Sequence, residues 1–105
     1  MIEIIKRYNE EYKFSDIHLK EDKPAMLRIN GDMITPSEDI ISSSELREFA
    51  NETLSESQKT RLDEIRDVDL AIEIDNCRFR ANFFYTSDGL SAVLRKIETE
   101  IPSMR

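Results

Sequence analysis

The sequence is poor in the residues from which many catalytic and cross-linked architectures are built. Its 105 residues include one cysteine (Cys77), one histidine (His18), two glycines, three prolines and no tryptophan. A single cysteine cannot close an internal disulfide and has no companion for a thiolate metal cluster, which fits a reducing, cytoplasmic setting. Two glycines 58 positions apart leave no room for a G-x-x-x-x-G-K-[ST] phosphate loop in the chain. A lone histidine offers too few ligands for a usual zinc site. No apolar run exceeds three residues, against the roughly 20 needed to span a bilayer. The start, MIEIIKRYNEEY, mixes acids and bases in an amphipathic pattern and reads as neither signal peptide nor anchor.

What is present is charge and periodicity. Fifteen basic and 22 acidic residues give a net charge of −7, which disfavours nucleic acid and direct insertion into, or binding to, an anionic membrane. With 39% hydrophobic and 35% charged residues, the chain suits one compact domain of mixed helix and sheet.

Ile2, Ile4, Ile5, Tyr8 and Tyr12 fall near helical spacing, so residues 2–12 are expected to form an amphipathic helix. The period then drops to two. Asp16, His18 and Lys20 alternate with Ile17 and Leu19, a turn is expected at Asp22 to Pro24, and AMLRI supplies a second strand. Asn30-Gly31 tolerates the two positive φ angles of a type I′ turn, so residues 14–35 read as a three-stranded meander. Ser42-x-x-Glu45 and Ser55-x-x-Gln58 are capping-box signals for two helices in tandem. Leu46, Phe49, Ala50 and Leu54 form the apolar stripe of the first, while Leu62 and Ile65 are expected to face inward from the second. From Val68 three further strands follow, with turns at Asp75-Asn76 and at Ser87-Asp88-Gly89. Helix, three strands, two helices and three strands imply an α+β fold: an antiparallel or mixed sheet with helices packed on one face.

Three groups of residues invite a chemical reading. Ser15, Asp16 and His18 do not make a triad, because alternation puts Ser15 on the opposite strand face from the other two. They are expected to form a polar strand edge facing solvent or a partner. Asp63, Glu64, Asp67, Asp69, Glu73 and Asp75 lack the D-x-D-x-D-G spacing of a calcium loop, and alternation makes Asp69, Glu73 and Asp75 a solvated strand face. Arg78 and Arg80, with Asn82 beyond them and Arg95 on the next strand, form a cationic stripe in an acidic chain. Guanidinium forks match phosphate oxygens, although from pattern alone pairing with Asp69, Glu73 and Asp75 across the sheet is the more routine use.

The ordered set SDIHL, PAMLRINGDM, DVDLAIEI, CRFRANFF and SAVLRKI…IPSM resembles the N-terminal domain of the type II/IV secretion ATPases, most of all their PilT-like, pilus-retraction (twitching-motility) branch. The resemblance runs from about residue 13 to the end. It implies a PAS-like domain over residues 1–100 and, from Ile101-Pro102, a linker (101–105) to a RecA-like ATPase domain. It also implies a hexameric ring in which the domain packs on its own and the neighbouring subunit's ATPase domains, with ATP and Mg bound in the parent protein. An inner-membrane pilus platform protein would be the partner of the assembled machine, cytoplasmic and peripheral to that membrane.

On this resemblance Arg78, Arg80 and Arg95 match arginine-bearing positions of the family, some of which reach towards nucleotide phosphate, whereas Asp16, His18 and Arg28 match interface or scaffold positions. Asp88 departs from the pattern, since retraction ATPases often carry arginine at that turn. The fragment itself is expected to have no catalytic residue, metal site or resident cofactor; the ATP hydrolase would be its parent. The residues also admit a stand-alone PAS-like ligand-sensing or adaptor module, which should enclose an apolar pocket. A small metal-dependent hydrolase built on Asp16 and His18 is disfavoured by its ligand count.

Overall fold

Among the described residues, eight strands and three helices follow one another as α1 (Ile2–Glu11), β1 (Asp16–Lys20), β2 (Lys23–Pro24), β3 (Met26–Ile29), β4 (Asp32–Ile34), β5 (Ile40–Ile41), α2 (Ser43–Thr53), α3 (Glu56–Ile65), β6 (Asp67–Ile74), β7 (Cys77–Thr86) and β8 (Gly89–Lys96). The structure is a computed structural model and describes residues 2–74 and 76–97. Asp75, at one expected turn, and the expected exit segment with its Ile101-Pro102 linker start lie outside the described residues.

Local signals act where they stand. Asn30 at φ 53° and Gly31 at φ 87° join Ile29 to its partner Asp32, as a two-residue type I′ hairpin requires. Both capping boxes close. Ser42 Oγ accepts from Glu45 N at 3.1 Å while Glu45 Oε1 accepts from Ser42 N at 3.1 Å; Ser55 and Gln58 repeat the exchange at 3.3 and 2.8 Å. Each box satisfies two of the donors that a helix start leaves unpaired.

The main sheet has six strands in the order β4-β3-β1-β8-β7-β6, and every neighbouring pair is antiparallel. Period-two alternation divides it into two faces. Ile17, Leu19, Leu27, Val68, Phe79, Ala81, Phe83, Ala92 and Leu94 are buried on one. The helices cover that face with Ile5, Tyr8, Leu46, Phe49, Ala50, Leu54 and Leu62, also buried. Phe49 meets Phe83 at a ring distance of 5.7 Å, and Phe14 stacks on Phe79 at 6.4 Å. Among the described residues no helix lies over the opposite face, which is called the open face below.

Three expectations need correction. Lys23 and Pro24 are more than a turn: they pair with Ile41 and Ile40 as a separate two-stranded sheet, and the meander is β1, β3 and β4. Ile65 is 56% exposed instead of inward-facing. α3 packs chiefly on β6 at the sheet's end, and its last turn runs past the covered surface to a left-handed cap at Arg66 (φ 72°). Finally, β1 is no edge: it lies between β3 and β8.

Candidate functional site

The open face carries Asp16, His18, Arg28, Asp67, Asp69, Glu73, Arg78, Arg80 and Arg95, whereas Asp63 and Glu64 lie on α3, and the register sorts the strand residues into rungs. Arg28, Asp16, Arg95 and Arg80 are successive cross-strand partners on β3, β1, β8 and β7. One rung along lie Met26, His18, Val93 and Asn82, and beyond them Ser91 and Phe84. Arg78 is two residues before Arg80 on β7, opposite Glu73. All six proposed site residues therefore share one face of four adjacent strands.

Asp16 is the structural centre of the charged rung. It is only 4% exposed, although its face has no helix over it. Arg95 Nε donates to Asp16 Oδ1 at 3.3 Å, and Arg28 Nε lies 3.4 Å from Oδ2. The two guanidinium groups roof the carboxylate. Pairing and hydrogen bonding of this kind offset the cost of burying a carboxylate. Arg28 Nη1 also donates to Gly31 O at 3.3 Å, tying the pair to the hairpin. Asp16 is thus buried and paired, which corrects its reading as a solvent-facing residue. Ser15 turns away and donates its hydroxyl to Arg28 O at 3.3 Å, so it does not join His18 and Asp16 as a triad.

Arg80 and Arg95 stand directly opposite each other. Like charges in that position repel, and each leans on a flanking acid: Arg95 on Asp16, Arg80 on Asp69 at 3.4 Å. The second pair has 67% and 52% of its side-chain surfaces exposed, so it contributes little and exchanges readily. Asp69 thus fills the cross-strand role foreseen for it. Glu73 stands opposite Arg78 with no ion pair between them among the described residues. Arg80, Arg95, Asn82 and Phe84 line an open groove of about 500 Å³. Asn82 Nδ2 is held by Asp67 Oδ1 at 2.7 Å and Val68 O at 3.0 Å.

His18 is half-buried, and its pKa is lowered, chiefly by burial; the Asp16 carboxylate opposes that shift while Arg28 and Arg95 add to it. Beside it, Ser91 is 3% exposed. Neither His18 Nε2 nor Ser91 Oγ has a hydrogen-bond partner among the described residues. The sequence reading passed over Ser91; its signal was a hydroxyl on the same alternation as Val93 and Arg95. Among the described residues no cluster of three or more His, Cys, Asp or Glu is placed to hold a metal ion, and no helix is long and apolar enough to cross a membrane.

No family model matches the chain. Two curated relatives do: the type IV pilus retraction ATPase PilT of Pseudomonas aeruginosa, 26% identical over 91 residues, and the type IV pilus ATPase PilU of the same organism, 29% identical over 91 residues. Each match covers 86% of this chain, but only 26% of PilT and 24% of PilU. Among solved structures, the pilus retraction motor PilT with bound ADP superposes with a TM-score of 0.83 at 33% identity, over 97% of this chain and 30% of that one. The chain is a PilT-like N-terminal domain. The PilT-like α+β fold extends to the ATPase DotB of Legionella pneumophila, with a TM-score of 0.78 at 22% identity over 96% of this chain and 29% of DotB. This PilT-like domain spans about a quarter of the length of the curated relatives it matches.

Proposed function

We propose that the chain serves as the PAS-like, nucleotide-contacting and intersubunit-packing domain of a hexameric pilus-retraction or secretion motor ATPase, and that it holds no catalytic residue of its own. The observation that carries this reading is the opposed pair Arg80 and Arg95 on the open face. Two guanidinium groups facing each other are relieved by an anion between them, and phosphate matches their fork geometry. The pilus retraction motor PilT, whose solved structure is 33% identical to this chain, holds bound ADP in that structure.

In this arrangement Arg80 and Arg95 contact phosphate directly and Arg78 extends the cationic stripe along β7. Arg80 is released from Asp69 as phosphate takes its place. Asp16, His18 and Arg28 lie on the same face, so one surface serves both nucleotide and the adjoining RecA-like ATPase domains of its own and the neighbouring subunit. Mg would be held with ATP by the ATPase domain. The assembled machine would sit in the cytoplasm against the inner membrane and act through a membrane platform protein.

The test is Arg80→Glu and Arg95→Glu in the full-length protein. ATP turnover should fall by about tenfold or more, as for other arginines that neutralise transferring phosphate. Turnover and ring assembly both unchanged would remove the proposed role.

A further inference from the structure

We propose that a second cavity on the open face, of about 460 Å³, binds a small organic acid: a carboxylate head on an apolar body. It extends toward β3 and β4 and adjoins the Arg80 and Arg95 groove, sharing Phe84 and Val93 with it, but neither arginine lines it. Its volume falls within the range of small-molecule sites.

Three features define the ligand. The walls are apolar, made chiefly by Met26, Met33, Phe84 and Val93. Its polar lining includes Thr35, Thr86, His18 and Ser91, and of these His18 Nε2 and Ser91 Oγ are buried without partners among the described residues. A buried polar atom without a partner is rare and destabilising, and these two sit one rung apart, since Val93 is opposite His18 and Ser91 is two residues before it. The serine hydroxyl and the imidazole in its Nε2–H form both donate, which suits one acceptor head bridging them. The remaining charged lining residues are Lys20 and Lys23; no Asp or Glu among the described residues lines the cavity, although the chain has 22 acids to 15 bases. Donors, cationic rim and apolar wall together select a carboxylate over an amine or a neutral alcohol.

The 105-residue chain, isotopically labelled, can be titrated with octanoate, with phenylacetate and with octylamine as the cationic control. Saturable shifts are expected at His18, Ser91 and the Met26 and Met33 methyl groups with the two acids and not with the amine. Ser91→Ala should weaken octanoate binding about tenfold. Lys23→Glu, on the exposed rim, should weaken it similarly, and it keeps the test decisive if Ser91→Ala disturbs the buried strand. No saturable shift at these residues up to several millimolar acid would overturn the proposal. So would equal binding of octylamine and octanoate, or octanoate affinity unchanged in both variants. The site needs no ATPase domain, so these outcomes are independent of the phosphate role of Arg80 and Arg95.

Discussion

Asp16 and Arg95 are 79 positions apart in the chain and 3.3 Å apart in the fold. Their pairing holds the first strand against the last and fixes the direction in which Arg95 leaves the sheet. Asp16→Ala should therefore lower stability by about 1–2 kcal/mol, since it removes charge-assisted bonds to both Arg95 and Arg28, whose own side chains remain partly solvated. Urea unfolding of the 105-residue chain measures this. A loss below about 0.3 kcal/mol would mean that the roofed carboxylate is only a surface pair.

The single histidine makes a pH test simple. Burial holds His18 below its ordinary value of 6.5. As pH falls, the unfolded chain takes up this proton before the folded one. The His18 contribution to stability is thus fully present above about pH 6.5 and is lost as pH drops through the folded value. NMR titration of the imidazole should show the lowered midpoint, and Asp16→Asn should lower it further by removing the neighbour that opposes the shift. A midpoint at or above 6.5 in the wild-type chain would contradict this account.

The two glycines should respond unequally to alanine. A Cβ on Gly89 (φ 114°) would lie 2.9 Å from the Glu21 carboxylate carbon, whereas one on Gly31 (φ 87°) meets nothing within 4 Å. Glu21 is itself buried, accepting from Leu90 N at 2.5 Å and pairing with Arg47 at 3.1 Å. Gly31→Ala should lower stability by about 1 kcal/mol from backbone strain alone. Gly89→Ala adds displacement of Glu21 and should lower it by about 3 kcal/mol. Denaturant midpoints of the two variants give the comparison, and equal losses would show that Glu21 moves freely.

Each serine cap can be removed singly. Ser42→Ala and Ser55→Ala should each lower stability by about 1 kcal/mol, because each leaves helix-start donors unpaired. Thermal unfolding followed by circular dichroism is sufficient. A loss at Ser42 with none at Ser55 would indicate that packing of Leu54 and Leu62 alone holds the α2–α3 junction.

The parts of the fold that were legible in the sequence are those fixed within a few residues. Asn30-Gly31 and the two serine boxes depend on φ preference and on a hydroxyl three residues from its acceptor, so reading them needs no tertiary knowledge. The pairing of Lys23-Pro24 with Ile40-Ile41 was not legible, because two-residue strands have no period to detect. Ile65 was misplaced by extending a helical stripe one turn too far; where a helix stops covering a sheet depends on the sheet. Asp16 was placed on the correct face and given the wrong exposure. Its burial follows from strand order, which sets β8 beside β1, and nothing near residue 16 records that neighbour. The arginine stripe was legible as a face, but the opposition of Arg80 and Arg95 required the register. Ser91 and its cavity required both the register and the position of β4.

The strand order has a kinetic consequence. β1, β3 and β4 form one antiparallel group within residues 16–34, and β6, β7 and β8 form another within residues 67–96. Each group can zip by short hairpin closures, whereas the seam that joins them, β1 against β8, must close a loop that includes both central helices. That closure carries the largest entropic burden among the sheet's pairings and is the step expected to set the folding rate. During synthesis from the N-terminus, the β1 side of the seam waits unpaired until nearly the whole domain has left the ribosome. Asp16, emerging early, acquires Arg95 only at the end.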